Sequence, residues 1–134
     1  MRTPKILAID DEEGVRRLIT ATLEPAYEVI AVGDGQEGLN QARWGKPDLI
    51  LLDLHLPGLD GLAVLARLKA SRETNTIPVV IVSVEGDTDA LLDCQRAGAL
   101  DHIIKPFKIE ELRRVIQRHL AVREDPQAPD AGLG

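Results

Sequence analysis

The chain has 134 residues, the size of one ordinary domain. With 44% hydrophobic and 28% charged residues it has the composition of a globular protein, and a net charge of −6 argues against direct nucleic-acid binding by this chain. The single cysteine, Cys94, excludes an intrachain disulfide; no apolar run approaches the length of a membrane span, and the short run near the start ends in acids, unlike a signal peptide. The expected location is the cytoplasm, with no membrane partner.

The first apolar run, Ile6–Ile9, reads as a strand buried on both faces, and it ends in four acids, Asp10, Asp11, Glu12 and Glu13. EEGVRRLITATL follows as a helix with Val15, Leu18, Ile19 and Leu23 on one face. The more mixed YEVIAV, Tyr27–Val32, reads as an edge strand, and QEGLNQARW as a short helix. LILL, Leu49–Leu52, is a buried strand ending in Asp53. In LPGLDG, Pro57 and Gly58 make a turn and Asp60 caps a helix that begins near Leu62.

VVIV, Val79–Val82, is the next strand and leads into Ser83. DTDALLDCQRAG is a helix closed by Gly98, with Cys94 as a small core residue. The last strand, His102–Ile104, leads into Lys105. IEELRRVIQRHLA is a helix with Ile109, Leu112, Val115, Ile116 and Leu120 on one side. After Val122 the chain is rich in Pro, Gly and acids, so residues 123–134 read as a disordered tail or the start of a linker.

Five strands alternating with five helices predict a single doubly wound α/β domain with a parallel sheet. In such sheets ligands bind at the carboxyl ends of the strands. Asp10, Asp11, Asp53, Ser83 and Lys105 each follow a strand, so they converge at one edge. Carboxylates without a Cys or His cluster suit a hard ion such as Mg²⁺, with Mn²⁺ as the alternative. A lysine adds a point charge for phosphate, a hydroxyl can donate to a phosphoryl oxygen, and a carboxylate can attack phosphorus.

KILAIDDEE, LILLDLHLPGLDG, VVIVS and HIIKPF, in that order and spacing, resemble the receiver domain of bacterial two-component response regulators. The resemblance covers residues 1–122 and implies a flavodoxin-like sheet of order 2-1-3-4-5. It implies that Asp53 is the phosphoacceptor, served by a histidine kinase or histidine phosphotransfer protein. It implies that Asp11, Asp53 and the backbone carbonyl of His55 ligate Mg²⁺, and that Asp10 acts through a metal-bound water. Lys105 would contact the phosphoryl group, Ser83 would swing to it, and Lys105–Pro106 would be cis. The implied output is a conformational change on the face of the fourth helix, fifth strand and fifth helix, toward an unidentified partner, and a homodimer through the last helices is compatible with it. The domain would promote its own phosphorylation and dephosphorylation without acting as an enzyme on a separate substrate.

Two positions depart from the family pattern. His102 stands where receivers carry Tyr or Phe, and Val84 where they carry a small residue. Both bear on the switching of Ser83, and the bulk of Val84 is also expected to tune access to the acceptor. His55 and Glu85 border the mouth and are expected to tune access to the acceptor, whereas Glu12 and Glu13 are expected to do no more than favour a helix N-terminus.

Three other readings compete. A haloacid-dehalogenase-type phosphatase needs an acid where this chain has His55. A flavin protein of the same topology would place phosphate against four acids. A receiver-fold docking module would work without phosphorylation, and the intact acid–Ser–Lys set argues against it.

Overall fold

The computed structural model describes residues 2–124. Strands and helices alternate in chain order: β1 (Lys5–Ile9), α1 (Glu13–Leu23), β2 (Glu28–Val32), α2 (Gly35–Gly45), β3 (Leu49–Asp53), α3 (Gly61–Ala70), β4 (Val79–Val84), α4 (Thr88–Arg96), β5 (Asp101–Lys105) and α5 (Ile109–Glu124). All four strand pairings are parallel, and the sheet order is β2-β1-β3-β4-β5. This is the doubly wound topology expected from the alternation, with the mixed Glu28–Val32 strand at an edge.

The apolar runs are nearly uninterrupted because both faces of the sheet are covered. Successive residues of a strand point to opposite faces. Ile6 and Ala8, Leu49 and Leu51, Val80 and Val82 join one core with α1 and α5. Leu7 and Ile9, Ile50 and Leu52, Val79 and Ile81 join the other with α2, α3 and α4, including Cys94.

Helix ends follow local chemistry. Asp34 and Asp60 cap α2 and α3 by accepting from the backbone N–H of Glu37 (2.8 Å) and Ala63 (2.9 Å). Gly98, at φ +110°, ends α4 in the left-handed region, where a side chain would be strained. Pro57–Gly58 and the Asp60 cap bring α3 against the end of β3 so closely that a Cβ on Gly61 would lie 2.5 Å from the Asp53 carbonyl oxygen. Gly61 is therefore what lets the chain turn directly behind Asp53.

Two apolar positions are corrected. Leu18 is exposed, and α1 buries Ile19, Thr22 and Leu23 instead, because one helix packed on a sheet hides a narrower arc than its apolar residues span. Ile109 is also exposed, in the first turn of α5, ahead of the packed residues Leu112, Val115, Ile116 and Leu120. α5 runs past Val122 to Glu124, and residues 125–134 of the expected tail lie outside the described residues. Among the described residues no helix is long and apolar enough to cross a membrane.

Candidate functional site

The strand ends bring the predicted residues together. Asp10 follows β1, and its N–H donates to the Val32 carbonyl at the end of β2 (3.0 Å). Asp53 closes β3 in register with Val82 of β4, beside Ser83. One carboxylate oxygen from each of Asp10, Asp11 and Asp53 lies within 4.8 Å of the others. Asp10 and Asp53 are buried, whereas Asp11 is exposed and gives the group an open side.

The two buried carboxylates are oriented by backbone donors. Asp10 accepts from the Glu12 N–H (2.9 Å), and Asp53 accepts from the His55 N–H (3.2 Å). Burial, then the charge of Asp10, pushes the Asp53 carboxyl up to about 6, against the His55 hydrogen bond and the charge of Lys105. Like charges held this close favour either a proton or a cation.

Lys105 leaves the opposite edge strand and reaches across the sheet end to Asp10 (3.0 Å) and Glu12 (2.9 Å), with Asp53 farther, at 3.6 Å. Burial acts to lower its pKa, but the hydrogen bonds to Glu12 and Asp10 and the nearby charges outweigh it and raise it. Glu12 corrects an expectation. It stands at the N-cap of α1 but makes no side-chain cap bond, and its carboxylate goes to Lys105 instead, which lowers its pKa. Glu13 pairs on the surface with Arg17, four residues on. The Lys105–Pro106 bond is cis, and so is Glu24–Pro25.

Ser83 is fully buried in β4, and its Oγ has no hydrogen-bond partner among the described residues. A buried hydroxyl left unpaired costs about 1–3 kcal/mol. It is a donor without an acceptor, placed one strand from Asp53.

The family model for the response regulator receiver domain matches residues 6–117. The chain belongs to the receiver domain family. It is 33% identical over 126 residues to sporulation initiation phosphotransferase F of Bacillus subtilis, covering 93% of this chain and all of that protein. A putative response regulator from Chloroflexus aurantiacus has a structure similar to it at TM-score 0.84 and 32% identity, covering 90% of this chain and 99% of the other. The receiver domain of a sensor histidine kinase from Pseudomonas aeruginosa, at TM-score 0.81 and 31% identity, likewise covers 90% and 99%, and was solved with a magnesium ion coordinated in its active-site cleft. Against two longer regulators, AtoC of Escherichia coli and MtrA of Mycolicibacterium smegmatis, the chain spans 26% and 56% of their lengths.

The receiver's acidic group fits the ion that such domains typically bind. Its donors are three hard carboxylate oxygens on an open cleft, without sulfur or imidazole among them. The His55 ring points instead to Asp87, with Nε2 2.9 Å from Oδ2. Asp87 is held below the ordinary carboxylate range, first by the Val84 N–H and also by His55.

The remaining residues of this receiver lie toward β5. His102 and Val84 are exposed, as is Glu85. His102 lies opposite Ile81 in the sheet register. A groove of about 560 Å³ runs between α4 and β5, lined by Val84, Leu91, Leu92, Leu100, His102 and Ile104 among others.

Sequence reasoning missed Glu12 as the partner of Lys105, Asp87 as the partner of His55, and Gly61 as the close approach behind the acceptor. The four-acid run contained the signal for Glu12. A lysine drawn to the same sheet edge needs an anion to pair with.

Proposed function

We propose that this receiver is a phosphorylation-activated switch whose acceptor is Asp53. The observation that carries the reading is the meeting of three carboxylates, an ammonium and an unpaired buried hydroxyl at one sheet edge. Bound Mg²⁺ supplies neutralisation of the carboxylates and of the phosphoryl oxygens. Asp11, Asp53 and the His55 carbonyl would hold it, with Asp10 reached through a bound water.

The donor is a phosphohistidine of a kinase or phosphotransfer protein. An Asp53 oxygen attacks phosphorus, the N–P bond breaks, and its electron pair leaves with the donor imidazole, which then takes a proton from water. Lys105 exchanges part of its ion pairing with Glu12 and Asp10 for the phosphoryl oxygens. Ser83 Oγ–H gains the acceptor it lacks. Hydrolysis reverses the bond: water attacks phosphorus, inorganic phosphate leaves, and the Asp53 carboxylate returns. The chain promotes these steps on itself and has no separate small-molecule substrate.

The output is a shift between two arrangements of the α4–β5–α5 face. That face exposes Leu92 and Leu100 and borders the α4–β5 groove, which suits a protein partner. With His102 in place of Tyr or Phe, Ser83 is the main link between acceptor and face.

The test is incubation with Mg²⁺ and acetyl phosphate, read by intact mass. One phosphoryl group is expected on the wild type and none on Asp53→Asn. Equal labelling of the variant contradicts the assignment, and an unlabelled wild type favours a docking module that works without phosphorylation.

A further inference from the structure

The loop after Asp53 and the loop after Ser83 are joined by one side-chain contact that phosphoryl transfer itself does not use. His55 lies two residues past Asp53, and Asp87 four residues past Ser83. The His55 Nε2–H donates to Asp87 Oδ2 at 2.9 Å, and the same oxygen accepts from the Val84 N–H at 3.0 Å. The segment Val84–Gly86, which runs on from Ser83, is thereby closed on itself and tied to the acceptor loop.

The tie diverts Asp87 from an ordinary role. Asp87 occupies the N-cap of α4, yet its side chain makes no cap hydrogen bond. Its backbone, at φ −80° and ψ 32°, is not in the extended conformation typical of a cap. Asp34 and Asp60, the caps of α2 and α3, are extended and do bind their helix N–H groups. Of these three aspartates, the one beside the acceptor is turned away from its helix.

Ser83 has the complementary deficit. Its hydroxyl is buried without a partner, and a phosphoryl oxygen on Asp53 would give it one. Any displacement of the chain at Ser83 toward that oxygen carries Val84–Gly86 with it, which the His55–Asp87 contact restrains. We propose that the His55–Asp87 hydrogen bond is a latch that holds the β4–α4 loop in its unphosphorylated arrangement and opens when Ser83 engages the phosphoryl group. The released Asp87 carboxylate then caps α4, which carries the change to the face bearing Leu92. This rests on the reading of Asp53 as acceptor.

A contact made in only one of two states biases the equilibrium toward that state. Removing it therefore raises affinity for any ligand of the other state. The probe is beryllofluoride, a mimic of a carboxylate-bound phosphoryl group, titrated in saturating Mg²⁺ and followed by amide NMR of the full chain. His55→Ala is expected to bind it roughly two- to tenfold more tightly, the factor one exposed hydrogen bond supplies. His55→Gln, whose amide can still donate to Asp87, is expected to return to wild-type affinity. A residue serving stability alone would weaken binding or leave it unchanged.

His55→Ala binding no more tightly than wild type overturns the latch, as does equal tightening in His55→Gln. A wild type that binds no beryllofluoride overturns the acceptor reading itself, and the latch with it.

Discussion

At the amino-terminal edge of the sheet, Asp48 accepts two hydrogen bonds from the Arg2 guanidinium (2.7 and 2.6 Å) and one from the Lys5 N–H (2.8 Å). Asp101 accepts from Arg118 (2.6 Å) and His119 (2.9 Å). At the carboxyl-terminal edge, Asp10, Glu12 and Asp53 divide one ammonium between them, Asp11 adds a fourth carboxylate, and Ser83 Oγ has no partner. The same five strands thus end in matched charge at one side and surplus negative charge at the other. Burial disfavours unmatched charge. The edge that tolerates it is the one where a divalent cation would offset the surplus.

Removing a carboxylate should therefore have opposite signs at the two edges. The largest effect is expected for Asp48→Ala, which strands the Lys5 N–H and frees Arg2. A loss of about 2 kcal/mol is predicted from the urea midpoint. An unchanged midpoint would erase the contrast.

Asp53→Asn should instead stabilise the metal-free protein. The folded state raises this carboxyl to about 6, so it binds the proton more tightly than the unfolded chain does. The stabilisation of the protonated form is present below the unfolded value near 4 and is lost as pH rises through about 6. At pH 7.5 in EDTA the variant should be more stable by about 1–2 kcal/mol, after allowance for water in the open cleft. At pH 4 the gap should close. Mg²⁺ at ten times its Kd should restore about 1.4 kcal/mol to the wild type and less to the variant.

The smallest effect concerns Asp101. Burial pushes its carboxyl up, but the His119 ring, the His102 N–H and Arg118 outweigh burial and hold it below the ordinary range. A depressed carboxyl contributes stability above the unfolded value near 4, and loses it as pH falls through the folded one. Asp101→Asn should cost about 0.5–1 kcal/mol at pH 7, and the cost should shrink as pH falls below about 4. The measurement is denaturation of the pair across a pH series.

The ease of reading the two edges from sequence follows the same division. Ile6–Ile9, Leu49–Leu52 and Val79–Val82 announced buried strands because both faces of a covered sheet must be apolar. Asp10, Asp53, Ser83 and Lys105 were visible as the first polar residues after such runs. Glu12–Lys105 and His55–Asp87 were not, since each joins side chains from distant loops and leaves no periodic trace. Leu18 and Ile109 fit a helical stripe in sequence, but how wide a stripe the sheet covers is decided by packing.

The central claim is that Asp10, Asp11 and Asp53 are held close enough to take one divalent ion beside the acceptor. A Mg²⁺ titration followed by amide NMR tests it directly. Saturable shifts centred on residues 10–12 and 53–55, abolished in Asp11→Asn, are the predicted result. Shifts spread over the exposed acids of the helices, or unchanged in that variant, would contradict it.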